Sequence, residues 1–230
     1  MIDAIIVSDI HLGSRICQAK PLLQFLQHIE TKEIVLNGDV FDSLDFRRLK
    51  KNHWKVLSQL RKLSKKMKVT WIAGNHCGPA NSISHLLGIT VQDEYILYSG
   101  QKKILVIHGD QFDDFINKHP IITSIADSIY YALQSFTTHS MASYIKRASK
   151  TFLRCTKKVK KRSVEYAKKK YCDAICVAHT HFSESDIESC PQYFNSGSWT
   201  EIPSTYLMII NGNIELKNIF PNTYEKEKIN

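Results

Sequence analysis

Five short groups in this chain set carboxylates or an amide close to imidazoles: Asp9 and His11 in SDIHLG, Asp39 in NGDVFD, Asn75 and His76 in AGNH, His108 and Asp110 in IHGD, and His179 and His181 in AHTH. They hold five of the ten histidines. Imidazole and oxygen donors without a thiolate suit manganese, iron, cobalt or zinc better than magnesium or calcium. Asp9, His11, Asp39, Asn75, His108, His179 and His181 make seven candidate ligands, too many for one ion that keeps an open position. They fit two divalent transition metal ions that share a carboxylate. Asp39 is the residue expected to bridge, and manganese is expected first, with iron or zinc as alternatives.

Each group directly follows a short apolar run. Ile34, Val35 and Leu36 form such a run before Asn37-Gly38, which is how a buried strand ends in a turn. Asp39 then leaves the sheet at the carboxyl end of that strand, the edge where open α/β sheets bind ligands. Asp9 and His11, two residues apart in extended backbone, point to one side. Strands are expected at residues 4–8, 34–36, 69–73, 90–97 (an edge strand), 103–107 and 174–178, with helices at 21–29 and about 47–66 and a short one near 82–87. Strands separated by helices predict a mostly parallel sheet. Residues 192–199, 206–210 and 214–219 read as antiparallel strands with an Asn211-Gly212 hairpin turn, forming a second sheet packed on the first.

Between residues 112 and 171 the strand signals stop. Pro120 is placed to open a helix, with Ile122, Ile125, Ile129, Leu133 and Phe136 at three- and four-residue steps. A second helical pattern runs through Ile145, Ala148, Phe152, Cys155 and Val159. The expected organisation is one domain over residues 1–230, with a helical cap inserted at about 115–170 above the carboxyl edge. Residues 146–170 carry twelve Lys or Arg and one acid, Glu165, a net of +11; the whole chain carries +9, so the remainder carries −2. Basicity therefore belongs to one element, either a solvated helix face or a docking surface for phosphates or anionic lipid.

Six cysteines include no CxxC pair, and Cys172 and Cys176 read as small packing residues flanking a strand start. The opening MIDAIIVSDIH has no basic leader region and reads as a first strand, and no apolar run approaches the ~20 residues of a spanning helix. The expected location is cytoplasmic, with peripheral contact to the inner membrane.

SDIHLG, GDVFD, GNH, HGD and HTH, in this order over residues 8–181, resemble the five blocks of the calcineurin-like metallophosphoesterases. The resemblance implies a four-layer αββα sandwich with a dinuclear metal centre that hydrolyses phosphoesters. Carried over by position, Asp9, His11, Asp39 and His181 would hold one metal, and Asp39, Asn75, His108 and His179 the other. Asp39, Asn75 and His76 would be the catalytic residues, with His76 helping to stabilise or protonate the leaving oxygen. Cys77 stands where the superfamily usually has an acid, and Ala178 replaces the usual glycine before the HxH pair.

A narrower resemblance rests on SDIHLGSRICQAKPLLQFL, HGDQFD and the basic helical insertion, which are similar to bacterial UDP-2,3-diacylglucosamine pyrophosphatases and their relatives. The founding members carry Arg where this chain has His76. The implied reaction cleaves a lipid-linked sugar nucleotide to UMP and acylated sugar 1-phosphate, a step of lipid A synthesis. The insertion would then receive acyl chains and meet the anionic leaflet, with Arg15, Lys146, Arg147 and Lys150 as candidate substrate contacts. A phosphodiesterase or nuclease is the second enzymatic reading; its basic cap would track a phosphate backbone, although the Lys runs lack interleaved aromatics. The third reading, a non-catalytic interaction module on the same fold, sits poorly with seven filled ligand positions.

Overall fold

Alternation along the strands sorts the apolar side chains into three cores, and three cores require four layers. The structure, a computed structural model, describes residues 1–75, 84–85, 87–113 and 150–221, the side chains of residues 150 and 151 excepted. In β1 (Ile2–Val7), Ala4 and Ile6 face one way and Ile5 and Val7 the other; β2 (Thr31–Asn37) divides Val35 from Ile34 and Leu36 in the same manner. Outward-facing Ile5, Val7, Ile34 and Leu36 pack under α1 (Ala19–His28) and α2 (Lys51–Leu63), which bring Leu22, Phe25, Leu26, Val56 and Leu60 down onto the sheet. Each fully buried Leu or Ile contributes about 1.5–3 kcal/mol.

The first sheet continues through β3 (Lys68–Ile72) and β4 (Thr90–Gln92). The second sheet holds β5 (Glu94–Ser99), β6 (Lys102–Ile107), β7 (Ala174–Val177), β8 (Glu184–Asp186) and β9 (Gln192–Asn195). Two last strands, β10 (Ser204–Ile210) and β11 (Asn213–Ile219), return to the first. The orders are β11-β10-β1-β2-β3-β4 and β5-β6-β7-β9-β8. Ala4, Ile6 and Val35 of one sheet meet Ile104, Val106, Ala174, Cys176 and Phe194 of the other. On the far side, Leu105, Ile107, Ile175, Val177 and Tyr193 are covered by α3 (Lys150–Lys169), whose Val159, Ser163 and Ala167 are fully buried. The layers are thus α1 and α2, first sheet, second sheet, α3: the expected αββα sandwich.

Three expectations change in detail. The stretch 90–97 is two strands in different sheets: Thr90 to Gln92 pairs with β3, and after Asp93 the chain crosses to pair Glu94 with Ile107. Local alternation cannot reveal such a crossing, since both pieces read as strand. The antiparallel hairpin at the end does form, with Asn211 and Gly212 both at positive φ. It extends the first sheet by pairing β10 with β1, however, while β9 runs parallel to β7 in the second. The helix expected from about residue 47 begins at Lys51, because Asp45 caps a separate single turn at Phe46–Arg48.

Most of the expected cap, residues 114–149, lies outside the described residues, as do Lys146 and Arg147 and the Lys150 side chain. The basic tract that follows is α3, a layer of the sandwich over its second half. Several of its cations hold it there: Lys160 pairs with Glu184 at 2.6 Å and Asp186 at 2.7 Å, Arg162 donates to the Phe112 carbonyl at 3.0 Å, and Lys170, just past its end, pairs with Glu94. Cys172 and Cys176 sit in separate cores, as packing residues would; burial raises both thiols.

Candidate metal centre

β1, β2 and β3 run parallel, so the loops after them open on one edge. The loops after β6 and β7 meet that edge: Asn37 Nδ2 donates to the Ile107 carbonyl at 3.2 Å, and the His179 amide donates to Asp9 Oδ2 at 3.3 Å. The sheet edges are stitched together where the motif residues emerge.

The backbone there is unusual. Seven non-glycine residues among those described have positive φ, and five are Asp9, His11, Asp39, His179 and His181, at 42–63°. Holding ordinary residues in left-handed conformations costs of order 1–3 kcal/mol each, and such strain gathers at functional sites. Each left-handed turn aims a side chain back over the sheet edge. Two glycines make room for the result. A Cβ at Gly38 would run into the His108 imidazole, and one at Gly74 would run into Asp39 Oδ1.

Asp9 Oδ1 lies 3.1 Å from His181 Nε2 and 4.0 Å from His11 Nε2; the two imidazole Nε2 atoms are 3.3 Å apart. Asp39 Oδ2 lies 3.3 Å from His108 Nε2 and 3.9 Å from His11 Nε2, so it sits between the two histidines. Two ligand-like groups result, Asp9-His11-His181 and Asp9-Asp39-His108, each with its donor atoms within 4.8 Å of one another. Asp9 belongs to both groups. All five side chains except His181 are almost wholly buried.

Electrostatics follow from this crowding. Burial would raise the Asp9 carboxyl, but His181 and His108 overcome it and hold it below its ordinary value. Burial would likewise lower His108, yet Asp39, Asp9 and Asp110 push it up to about 10. His11 is raised against the same penalty by Asp42, Asp39 and Asp9.

The donor set passes a test for cations. No hydrogen bond reaches Asp9 Oδ1 or His108 Nε2, though both are buried and have partners of opposite polarity within 3.3 Å. Polar atoms of opposite polarity that approach this closely without hydrogen-bond geometry can act as ligands facing a common centre. The outward ring nitrogens each face an oxygen, as those of metal-binding histidines usually do, although for His11 the contact with Asp42 is an ion pair without hydrogen-bond geometry. His108 Nδ1–H donates to the Asn37 carbonyl at 3.0 Å, His11 Nδ1 lies 3.5 Å from Asp42 Oδ1, and His181 Nδ1 lies 3.4 Å from Thr200 Oγ1.

His179 borders the group, its ring 5.3 Å from that of His108, while its Nε2 lies 3.3 Å from Asp113 Oδ2. Asn75 follows β3 at the same edge and is exposed; His76 lies outside the described residues. Arg15 is exposed on the loop that begins with His11.

Asp42, Asp113 and Thr200 were missed as site residues by sequence reasoning. Asp42 and Asp113 each stand inside a quoted motif, three residues after Asp39 and three after Asp110, so a search for carboxylates behind the histidines finds them. Thr200 carries no such mark. Replacing Asp113→Asn is expected to lower kcat about 10–100-fold with little change in stability, by freeing the His179 ring. Steady-state kinetics with an aryl phosphodiester check it; unchanged kcat contradicts a positioning role.

The calcineurin-like phosphoesterase family profile matches residues 3–183, a span that takes in all five motif groups. A search of curated proteins returns no match. Solved structures similar in fold include Yfce, a phosphoesterase from E. coli, at TM-score 0.53 and 17% identity over 95% of this chain and 93% of that one. A single mutant of Vps29 from Entamoeba histolytica aligns at TM-score 0.51 and 13% identity over 94% and 97%. A novel archaeal phosphodiesterase aligns at TM-score 0.50 and 11% identity over 94% and 99%. Identities this low bear on the fold alone, whereas the profile spans most of the chain. With the sandwich, the stitched edge and the matched motifs in agreement, the chain belongs to the calcineurin-like phosphoesterase family, whose members are metal-dependent hydrolases of phosphoesters.

Proposed function

We propose that this phosphoesterase cleaves the pyrophosphate of a lipid-linked sugar nucleotide, UDP-2,3-diacylglucosamine, giving UMP and acylated sugar 1-phosphate. Asp9, His11, Asp39 and His181 would hold one divalent ion and Asp39, Asn75, His108 and His179 the other, with manganese the first candidate. The observation that carries the hydrolytic part is the convergence of Asp9, His11, Asp39, His108 and His181 on one buried spot at the strand ends. Two bound ions would lower the pKa of water and neutralise charge on the phosphoryl oxygens. The chain's own contribution is positional: Asn37, Asp42 and Thr200 fix three imidazoles, and Gly38 and Gly74 let His108 and Asp39 approach the backbone closely.

The lipid-linked substrate is favoured by the outer face of α3. Arg154, Lys157, Lys158, Lys161, Lys168 and Lys169 are exposed there, at three-, four- and seven-residue steps, with Glu165 the one exposed acid among them. No described helix is long and apolar enough to cross a membrane, so contact with a bilayer would be through such a face. Each cation near anionic lipid contributes about 1 kcal/mol. The triple substitution Lys157→Gln, Lys158→Gln, Lys161→Gln is expected to weaken binding to phosphatidylserine vesicles about a hundredfold at low salt, read by co-sedimentation. Undiminished binding returns the face to ordinary solvation. Lys160 is left out because Glu184 and Asp186 already hold it.

Release of UMP from UDP-diacylglucosamine, compared with cleavage of single-stranded DNA under the same manganese loading, decides the substrate class. UMP as the dominant product is the expected result; DNA cleavage without UMP overturns the lipid reading.

A further inference from the structure

Beside the loop that carries His11, a cavity of about 440 Å³ opens between the amino ends of α1 and α2. Arg15, Lys20, Lys50 and Lys51 line it, and no Asp or Glu does. Its one thiol, Cys17, is pushed by burial up to about 12 and so adds no negative charge. The first turns of both helices lack an acid; Gln18 makes no side-chain cap, so the positive end of α1 faces the cavity uncompensated, whereas at α2 the His53 ring caps the Lys50 amide.

His53 distinguishes this place from an ordinary pair of helix ends. It is 4% exposed and is one of the residues lining the cavity. Its Nδ1 accepts hydrogen bonds from the amides of Gly13 and Lys50, both at 3.2 Å. With Nδ1 fixed as an acceptor, the ring proton must sit on Nε2, and that N–H has no hydrogen-bond acceptor among the described residues. That N–H is therefore left to donate to water or to a bound acceptor.

We propose that this cavity is a phosphate-binding site separate from the metal centre, in which His53 Nε2–H, Arg15, Lys50 and Lys51 hold the oxygens of a phosphate group. The ligand is inorganic phosphate or a phosphomonoester, since both present the same charged oxygens to the donors. Gly13 and Ser14 connect the two places: the Gly13 amide is tied to His53, and the Ser14 amide to the His11 carbonyl at 3.0 Å.

The test follows the imidazole N–H signal of His53 by proton–nitrogen NMR during titration with sodium phosphate, with sodium chloride at equal ionic strength as control. Phosphate should move the signal saturably and chloride should not. Lys50→Met with Lys51→Met, both on exposed positions, should weaken the apparent affinity about tenfold or more. Asp39→Asn, which disables the proposed metal centre, should leave the titration intact, so failure of the hydrolytic reading and failure of this one are distinguishable. Titration with UMP in place of phosphate separates the sources: a tighter saturable shift assigns the site to a phosphomonoester, and a weaker one to free phosphate. No saturable shift with either, or a shift lost in Asp39→Asn and kept in the double lysine variant, overturns the proposal.

Discussion

Asp39→Asn is expected to lower manganese-supported hydrolysis of an aryl phosphodiester by about a thousandfold or more, corresponding to a loss of several kcal/mol of transition-state stabilisation. Asp39 Oδ2 lies within 4 Å of both His11 and His108, as the proposed bridging role requires. An amide there brings neutral charge and, in one of its two orientations, hydrogens facing the cations. The fold should survive. Asn is one of the few residues that readily adopts the left-handed conformation Asp39 occupies at φ 42°. Losing one of two buried carboxylates also relieves repulsion, since Asp39 disfavours the ionised form of Asp9. Circular dichroism should therefore be unchanged while activity collapses; retained activity contradicts the bridging role.

The second large effect is expected at Gly38→Ala. The position has φ 80°, where an L side chain is strained, and the new Cβ would meet the imidazole of His108. Strain of about 1–2 kcal/mol and a forced shift of about 1–3 kcal/mol add to a loss of several kcal/mol. For a chain of this size that lowers Tm by roughly 5–15 °C. Because the atom that moves is a ring facing Asp39, activity should fall as well, about a hundredfold for a displacement near 1 Å. Gly109→Ala is the control. It has φ 106°, but the nearest atom to a Cβ there is Val177 Cβ at 3.6 Å, an ordinary contact. It should lose only the backbone strain and keep most activity. Equal effects at the two glycines, measured by thermal melts and initial rates, would remove the special role given to the His108 contact.

How much of this was legible in the sequence depended on whether the signal was local. The apolar runs before Asp9, Asp39 and His108 mark strand ends directly, because a buried parallel strand must be apolar on both faces and must stop at a turn. The placement of β10 and β11 beside β1, and the crossing at Asp93, are decided by which sheet edge is free, a property of the assembled molecule. α3 shows a similar limit. Its charge run read as a solvated face or a docking surface, and Val159, Ser163 and Ala167, spaced as a helix face, are small enough to let the helix lie close on the second sheet. A face of Val, Ser and Ala carries little hydropathy and is easily overlooked among lysines.

The site divides in the same way. Residues whose type and spacing announce chemistry, Asp9, His11, Asp39, His108 and His181, do come together. The groups that hold them, Asn37 through its backbone carbonyl, Asp42 and Thr200, act by where they fall in space. A carbonyl leaves no trace in sequence, and a lone Thr near the last strands looks like any other.

Crystals soaked in manganese and measured with anomalous scattering address the dinuclear centre most directly. Two anomalous peaks a few ångströms apart are expected, with Asp39 between them, Asp9 and His11 on one side and His108 on the other. A single peak, or manganese bound only away from these residues, would contradict a shared-carboxylate pair.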